Sequence, residues 1–94
     1  MTTISINRKH TLGLERAKAA SQRVVDKLSE KFGLESHWEG NALKFARPGV
    51  EGRLDVSETQ VDVKIELGLM LAAFAAPIEQ QLAASIDKAI AAGG

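Results

Sequence analysis

A chain of 94 residues is the size of one small domain, which buries only about 60 to 65% of its unfolded surface and leaves no room for two independent cores. Apolar residues at 45% and charged residues at 26% argue against a disordered chain, and the lack of cysteine excludes disulfides and thiolate metal sites. The formal net charge of zero conceals an asymmetry: residues 8 to 31 carry seven Lys or Arg against three acids, while residues 48 to 94 carry three against seven. The basic segment has no aromatic residue before Phe32, so it lacks the stacking partners of a nucleic-acid platform and reads as a solvated helix face, an attractive patch for an acidic partner being the alternative. The opening MTTISINRKH has no apolar run after its basic residues and does not read as a secretory signal, so a cytoplasmic home is expected.

Taken in order, Ile4 and Ile6 alternate with Thr3, Ser5 and Asn7, a short strand pattern that ends at Arg8-Lys9-His10. The period then changes. Leu14, Ala17, Ser21, Val24, Val25, Leu28 and Phe32 fall on one stripe with most charges off it, predicting an amphipathic helix from about residue 12 to 32. Thr11 is its expected N-cap, and Gly33 its left-handed end, with Leu34 folding back on Leu28. Residues 35–39 and 42–46 flank Gly40-Asn41, a two-residue hairpin signal that sets Trp38 opposite Leu43 and Ser36 opposite Phe45. Trp38 and Phe45 then face the core, with His37 and Lys44 on the wet side.

After the turn Arg47-Pro48-Gly49, residues Val50, Gly52, Leu54 and Val56 point one way and Glu51, Arg53, Asp55 and Ser57 the other; Val61, Val63, Ile65 and Leu67 resume the inward set. Charge suggests the register: Asp55 opposite Lys64 and Arg53 opposite Glu66 bring unlike signs together, where a slip of two would oppose Asp55 to Asp62 and Arg53 to Lys64. The last segment repeats Leu71, Phe74, Ile78, Leu82, Ile86 and Ile90 at helical spacing, and residues 91–94 are expected to fray. Pro77 either kinks one helix running from about 69 to 92 or stands in the first turn of a second helix; the unbroken phase of the stripe favours one bent helix.

The stretch LGLMLAAFAAPI, residues 67–78, carries more apolar surface than one core face requires. With Leu71, Phe74 and Ile78 inward, Leu69, Met70, Ala72 and Ala73 are left as a candidate hydrophobic interaction surface, the alternative being burial under neighbouring loops. Twelve residues are too few to span a bilayer, so no transmembrane segment is expected. Gly52 leaves a gap on the inward face, read as a bend in a curved sheet, or as a small-ligand cavity shared with Trp38. His10 and His37 have neither triad partners nor metal-ligand spacing, and the acids of the wet face interleave with Arg53 and Lys64; no enzyme, metal or cofactor is expected.

The strings HTLGLERAK (10–18), EKFGLESHWEGNALKFARPGVEGRLDV (30–56) and VDVKIELGLMLAAFAAPIEQQLAASID (61–87) together resemble the polyhydroxyalkanoic acid system family, small bacterial proteins linked with polyhydroxyalkanoate granules. The resemblance covers nearly the whole chain and rests on the His10 and Gly13 pair, KFG, the tryptophan hairpin, the RPGVEG turn and the LG before the last helix. It implies a bacterial cytoplasm and a polyester store, and carries over no catalytic residues. The expected architecture is a single α+β domain over 1–94 in the order β-α-β-β-β-β-α: two layers, a curved five-stranded mostly antiparallel sheet with both helices on one face, the first strand beside the last, similar to a reduced helix-grip fold. Three functions are open to such a chain: an accessory protein that meets the granule or a granule protein through its last helix, a homodimeric interaction module using the same surface, or a carrier of a small apolar molecule.

Overall fold

Period-two alternation and the helical stripes are realised as β1 (Thr2–Lys9), α1 (Leu14–Phe32), β2 (Glu35–Glu39), β3 (Ala42–Arg47), β4 (Val50–Val56), β5 (Gln60–Leu67), a 3₁₀ turn (Leu69–Phe74) and α2 (Ala75–Ala91). The computed structural model describes residues 2–93, so the fraying expected of Gly94 lies outside the described residues. Ala92 and Gly93 close the end of α2 by donating to Lys88 O and Ile90 O. All five strands form one antiparallel sheet in the order β1-β5-β4-β3-β2, with the first strand beside the last. The arrangement is α+β.

The inward set of the sheet (Ile4, Ile6, Leu43, Phe45, Leu54, Val63, Ile65 and Leu67) meets Val24, Val25 and Leu28 of α1 and Ile78, Leu82 and Ile86 of α2 in one core. Each fully buried aliphatic side chain of this kind is worth about 1.5–3 kcal/mol, so the two helical stripes supply much of what holds the layers together. Gly33 ends α1 in the left-handed conformation at φ 66°, its amide donating to Ser29 O, and Leu34 turns back into the core.

The N-terminal end of α1 departs from expectation. The helix begins at Leu14 behind Gly13, whose carbonyl accepts the Ala17 amide, and Thr11 stays outside with no side-chain cap formed. What displaces Thr11 is His10, whose Nδ1 accepts the Leu12 amide and whose Nε2–H donates to Ser57 O, each at 3.1 Å. The buried ring ties the end of β1 to the β4–β5 turn and holds the chain extended past Thr11.

The β2–β3 hairpin has the expected register, Trp38 opposite Leu43 and Ser36 opposite Phe45. The β4–β5 register does not. Arg53 lies opposite Lys64, Asp55 opposite Asp62 and Glu51 opposite Glu66, the like-charge arrangement. The turn decides it: Ser57 N–H donates to Gln60 O at 2.9 Å and Ser57 Oγ accepts the Gln60 amide at 3.0 Å, so Glu58 and Thr59 form the tip. Exposed cross-strand charge pairs contribute only about 0.2–1 kcal/mol each, too little to move that closure by two residues. Part of the repulsion is relieved locally. Arg53 Nε donates to both oxygens of Asp55 on its own strand, at 2.8 and 3.0 Å, while Asp62 accepts hydrogen bonds from Gln60 and from Asn7.

The final segment is likewise corrected. It is two pieces, and Pro77 is the third residue of α2, in the first turn where a missing N–H leaves few hydrogen bonds to lose.

Candidate functional site

The chain leaves β5 through Gly68, whose amide donates to Gly49 O at 2.9 Å and whose carbonyl accepts the Leu71 amide at 3.0 Å. That three-residue step starts a 3₁₀ turn in which side chains i and i+3 stack, so Met70 lies over Ala73 on one side and Leu71 over Phe74 on another. Leu71 is half-buried and rests on Gly49: a Cβ there would lie 3.2 Å from Leu71 Cδ1, and the backbone already stands at φ 87°. This is the packing reason for the glycine in the RPGVEG turn. No residue of the 3₁₀ turn is fully buried.

The outward side is apolar. Leu69 is 84% exposed, Met70 91% and Phe74 51%, three large side chains in one short turn. Of the four residues expected to form an interaction surface, Leu69, Met70 and Ala73 are exposed and Ala72 is half-buried. Phe74, expected in the core, joins them instead, because the change from 3₁₀ to α winding before Ala75 breaks the phase that would have turned it inward. Burying side chains of this size is worth about 1.5–3 kcal/mol apiece, so the fold leaves several kcal/mol of favourable contact for another surface to recover.

Behind the turn lies an apolar cleft of about 200 Å³ walled by Leu34, Val50, Leu67, Leu71, Phe74 and Ile78, with Phe32 and Arg47 also on its boundary. At Gly52, where a small-ligand face shared with Trp38 is expected, the space over the glycine is taken by a side chain. A Cβ at Gly52 would sit 2.1 Å from the Phe45 ring, which occupies the space the missing side chain leaves. Trp38 is half-buried under α1, its Nε1–H donating to Gln22 Oε1 at 2.7 Å and Lys18 Nζ standing 4.7 Å from the ring centroid.

On the opposite, wet face, His37, Lys44, Arg53 and Lys64 fall in one row across β2 to β5, between rows holding Glu51 and Glu66 on one side and Asp55 and Asp62 on the other. The bands alternate in sign, and the basic row with the Glu51 and Glu66 row lines an open depression. Glu39 accepts from His37 Nε2 at 2.8 Å and lies 3.2 Å from Lys44 Nζ; the His37 hydrogen bond, followed by Lys44, holds its carboxyl below the usual carboxylate range. Among the described residues no three His, Asp or Glu side chains converge as a metal site would require.

Leu69–Ala91, 23 residues counting the 3₁₀ turn and α2 together, is long and apolar enough to cross a bilayer by length and composition alone, although the twelve-residue stretch by itself is not. Against that use, Ile78, Leu82 and Ile86 are committed to the sheet and α2 also bears Glu79, Asp87 and Lys88. Asp87 accepts Arg8 Nε at 2.8 Å, fastening α2 to β1.

Fold and site together describe a small two-layer α+β protein that completes its core and presents one apolar end. The family model for polyhydroxyalkanoic acid system proteins matches residues 4–90, and the chain belongs to that family. No curated protein and no solved structure matches it.

Proposed function

We propose that this chain is a non-enzymatic accessory protein of the polyhydroxyalkanoate system that works in the cytoplasm and settles on the storage granule, or on a protein coating it, through Leu69, Met70 and Phe74. The observation that carries the reading is the exposure of these three side chains side by side, outside a core that is already complete without Leu69 and Met70. A polyester granule offers an apolar surface of indefinite extent, and a rigid domain with one apolar end can meet it while its charged sheet face stays in water. Membership of the family supplies the polymer context.

Co-sedimentation with amorphous polyhydroxybutyrate particles tests the proposal. The natural chain should pellet with the particles, and a Leu69→Lys, Met70→Lys variant should remain in solution while keeping its circular dichroism spectrum, since both side chains are on the surface. A folded variant that still pellets overturns the assignment of the site. If neither form pellets and the natural chain has the mass of two copies, the apolar end is a homodimer interface instead.

A further inference from the structure

The cleft behind the 3₁₀ turn has a chemistry distinct from the outward patch. Its walls are aliphatic and aromatic side chains drawn from four places in the chain: the end of α1 and the segment after it, the start of β4, the end of β5, and the turn with the first residues of α2. At about 200 Å³ it holds roughly seven groups of water size, at about 30 Å³ each. Water gains little from such walls, which offer almost no hydrogen-bond partners, and engineered apolar cavities of this kind take up small hydrocarbons instead.

One charged side chain borders this space. Arg47 is exposed at the boundary and donates one hydrogen bond, from Nη1 to Phe32 O at 2.8 Å. A guanidinium carries five N–H donors, so most of its capacity is left over. Arg8 and Arg53 are each paired with an aspartate, whereas Arg47 has no carboxylate within ion-pair distance among the described residues. An apolar slot bordered at one point by a fork-shaped cation that has no carboxylate partner among the described residues is complementary to a molecule with a short hydrocarbon chain and one carboxylate.

We infer that this cleft binds a free medium-chain aliphatic carboxylic acid, its chain packed between Leu71, Phe74 and the end of the sheet and its carboxylate on Arg47. The site is separable from the granule-facing surface: Leu69 and Met70 point away from it and take no part, and Phe74 alone borders both. Binding does not require the granule reading to hold.

The test is a titration of the natural chain with octanoate, followed by amide NMR shifts, beside octanamide, which has nearly the same shape and no charge. Saturable octanoate binding with shifts at Leu34, Val50, Leu67 and Leu71 is expected, with octanamide at least tenfold weaker. Arg47→Gln should bring octanoate down to the octanamide level and leave octanamide unchanged, while Arg47→Lys, which keeps the charge and a donor for Phe32 O, should retain part of the difference. The Leu69→Lys, Met70→Lys variant should bind octanoate like the natural chain, so that loss of granule association and loss of acid binding are read independently. Equal affinity for octanoate and octanamide overturns the role of Arg47. No saturable binding of either, or shifts confined to Leu69 and Met70, overturns the site.

Discussion

Gly52 and Phe45 are best understood as one object. They face each other across β4 and β3, and the ring of Phe45 lies where a side chain on Gly52 would go. An aromatic ring laid over a cross-strand glycine restores the packing that the glycine removes. The ring is almost wholly buried and cannot swing into solvent, so an added methyl group has to be absorbed by the core. Gly52→Ala should therefore destabilise the protein by about 1–3 kcal/mol, read as a lower urea midpoint. The same alanine should cost less in a Phe45→Leu background, because the atoms it strikes are gone. A neutral Gly52→Ala in the natural background would mean the space over Gly52 is not closed after all.

The junction between the 3₁₀ turn and α2 shows how an element can be misplaced although Leu71, Ile78, Leu82 and Ile86 are all read correctly as facing the core. A kinking proline inside a helix removes a hydrogen bond and costs about 3 kcal/mol, so replacing it with alanine would return a gain of that order. With Pro77 in the first turn of α2 the exchange should stay within about 1 kcal/mol of neutral by chemical denaturation. A gain near 3 kcal/mol would restore the picture of one bent helix. The stripe could not reveal the break, because Leu71, Ile78, Leu82 and Ile86 still reach the core from two differently wound pieces. Phe74 alone betrays it, by standing half outside. The strands were far more legible. Gly40-Asn41 determined the pairing of β2 with β3, since turn length and alternation point to the same register. For β4 and β5 the visible charges pointed one way and Ser57 the other, and the turn hydrogen bonds outweighed solvent-exposed Coulomb terms. At the candidate site, Leu69 and Met70 could be picked out as apolar residues the core did not need. The cleft and Arg47 could not, because that site is assembled only when the end of α1, the β3–β4 turn, β5 and the 3₁₀ turn are brought to one place.

Across the whole molecule, the apolar turn occupies one end of the strands. Leu67 at the close of β5 pairs with Thr2 and with Val50, so the 3₁₀ turn leaves beside the Pro48-Gly49 turn, to which Gly68 is hydrogen-bonded. The Gly40-Asn41 and Ser57–Gln60 turns lie at the other end, joined by the hydrogen bond from Val56 N to Asn41 O. Seven residues of β4 separate the two ends, about 20 Å at the rise of a strand. That separation exceeds the reach of a side chain and, at ordinary salt, the range of surface electrostatics. A molecule docked by Leu69, Met70 and Phe74 should then touch a granule with one end only. Hydrogen exchange on particle-bound protein reads this directly: the amides of Leu69–Phe74 and those of Arg47 and Gly49 should exchange more slowly than in free solution, while Asn41, Glu58 and Thr59 exchange at unchanged rates. Slowing of equal size at both ends would mean that the domain lies flat or associates with its neighbours on the particle, and accelerated exchange throughout the sheet would mean that it unfolds there. Of the three patterns, only the one-ended one is expected of a folded domain docked through Leu69, Met70 and Phe74.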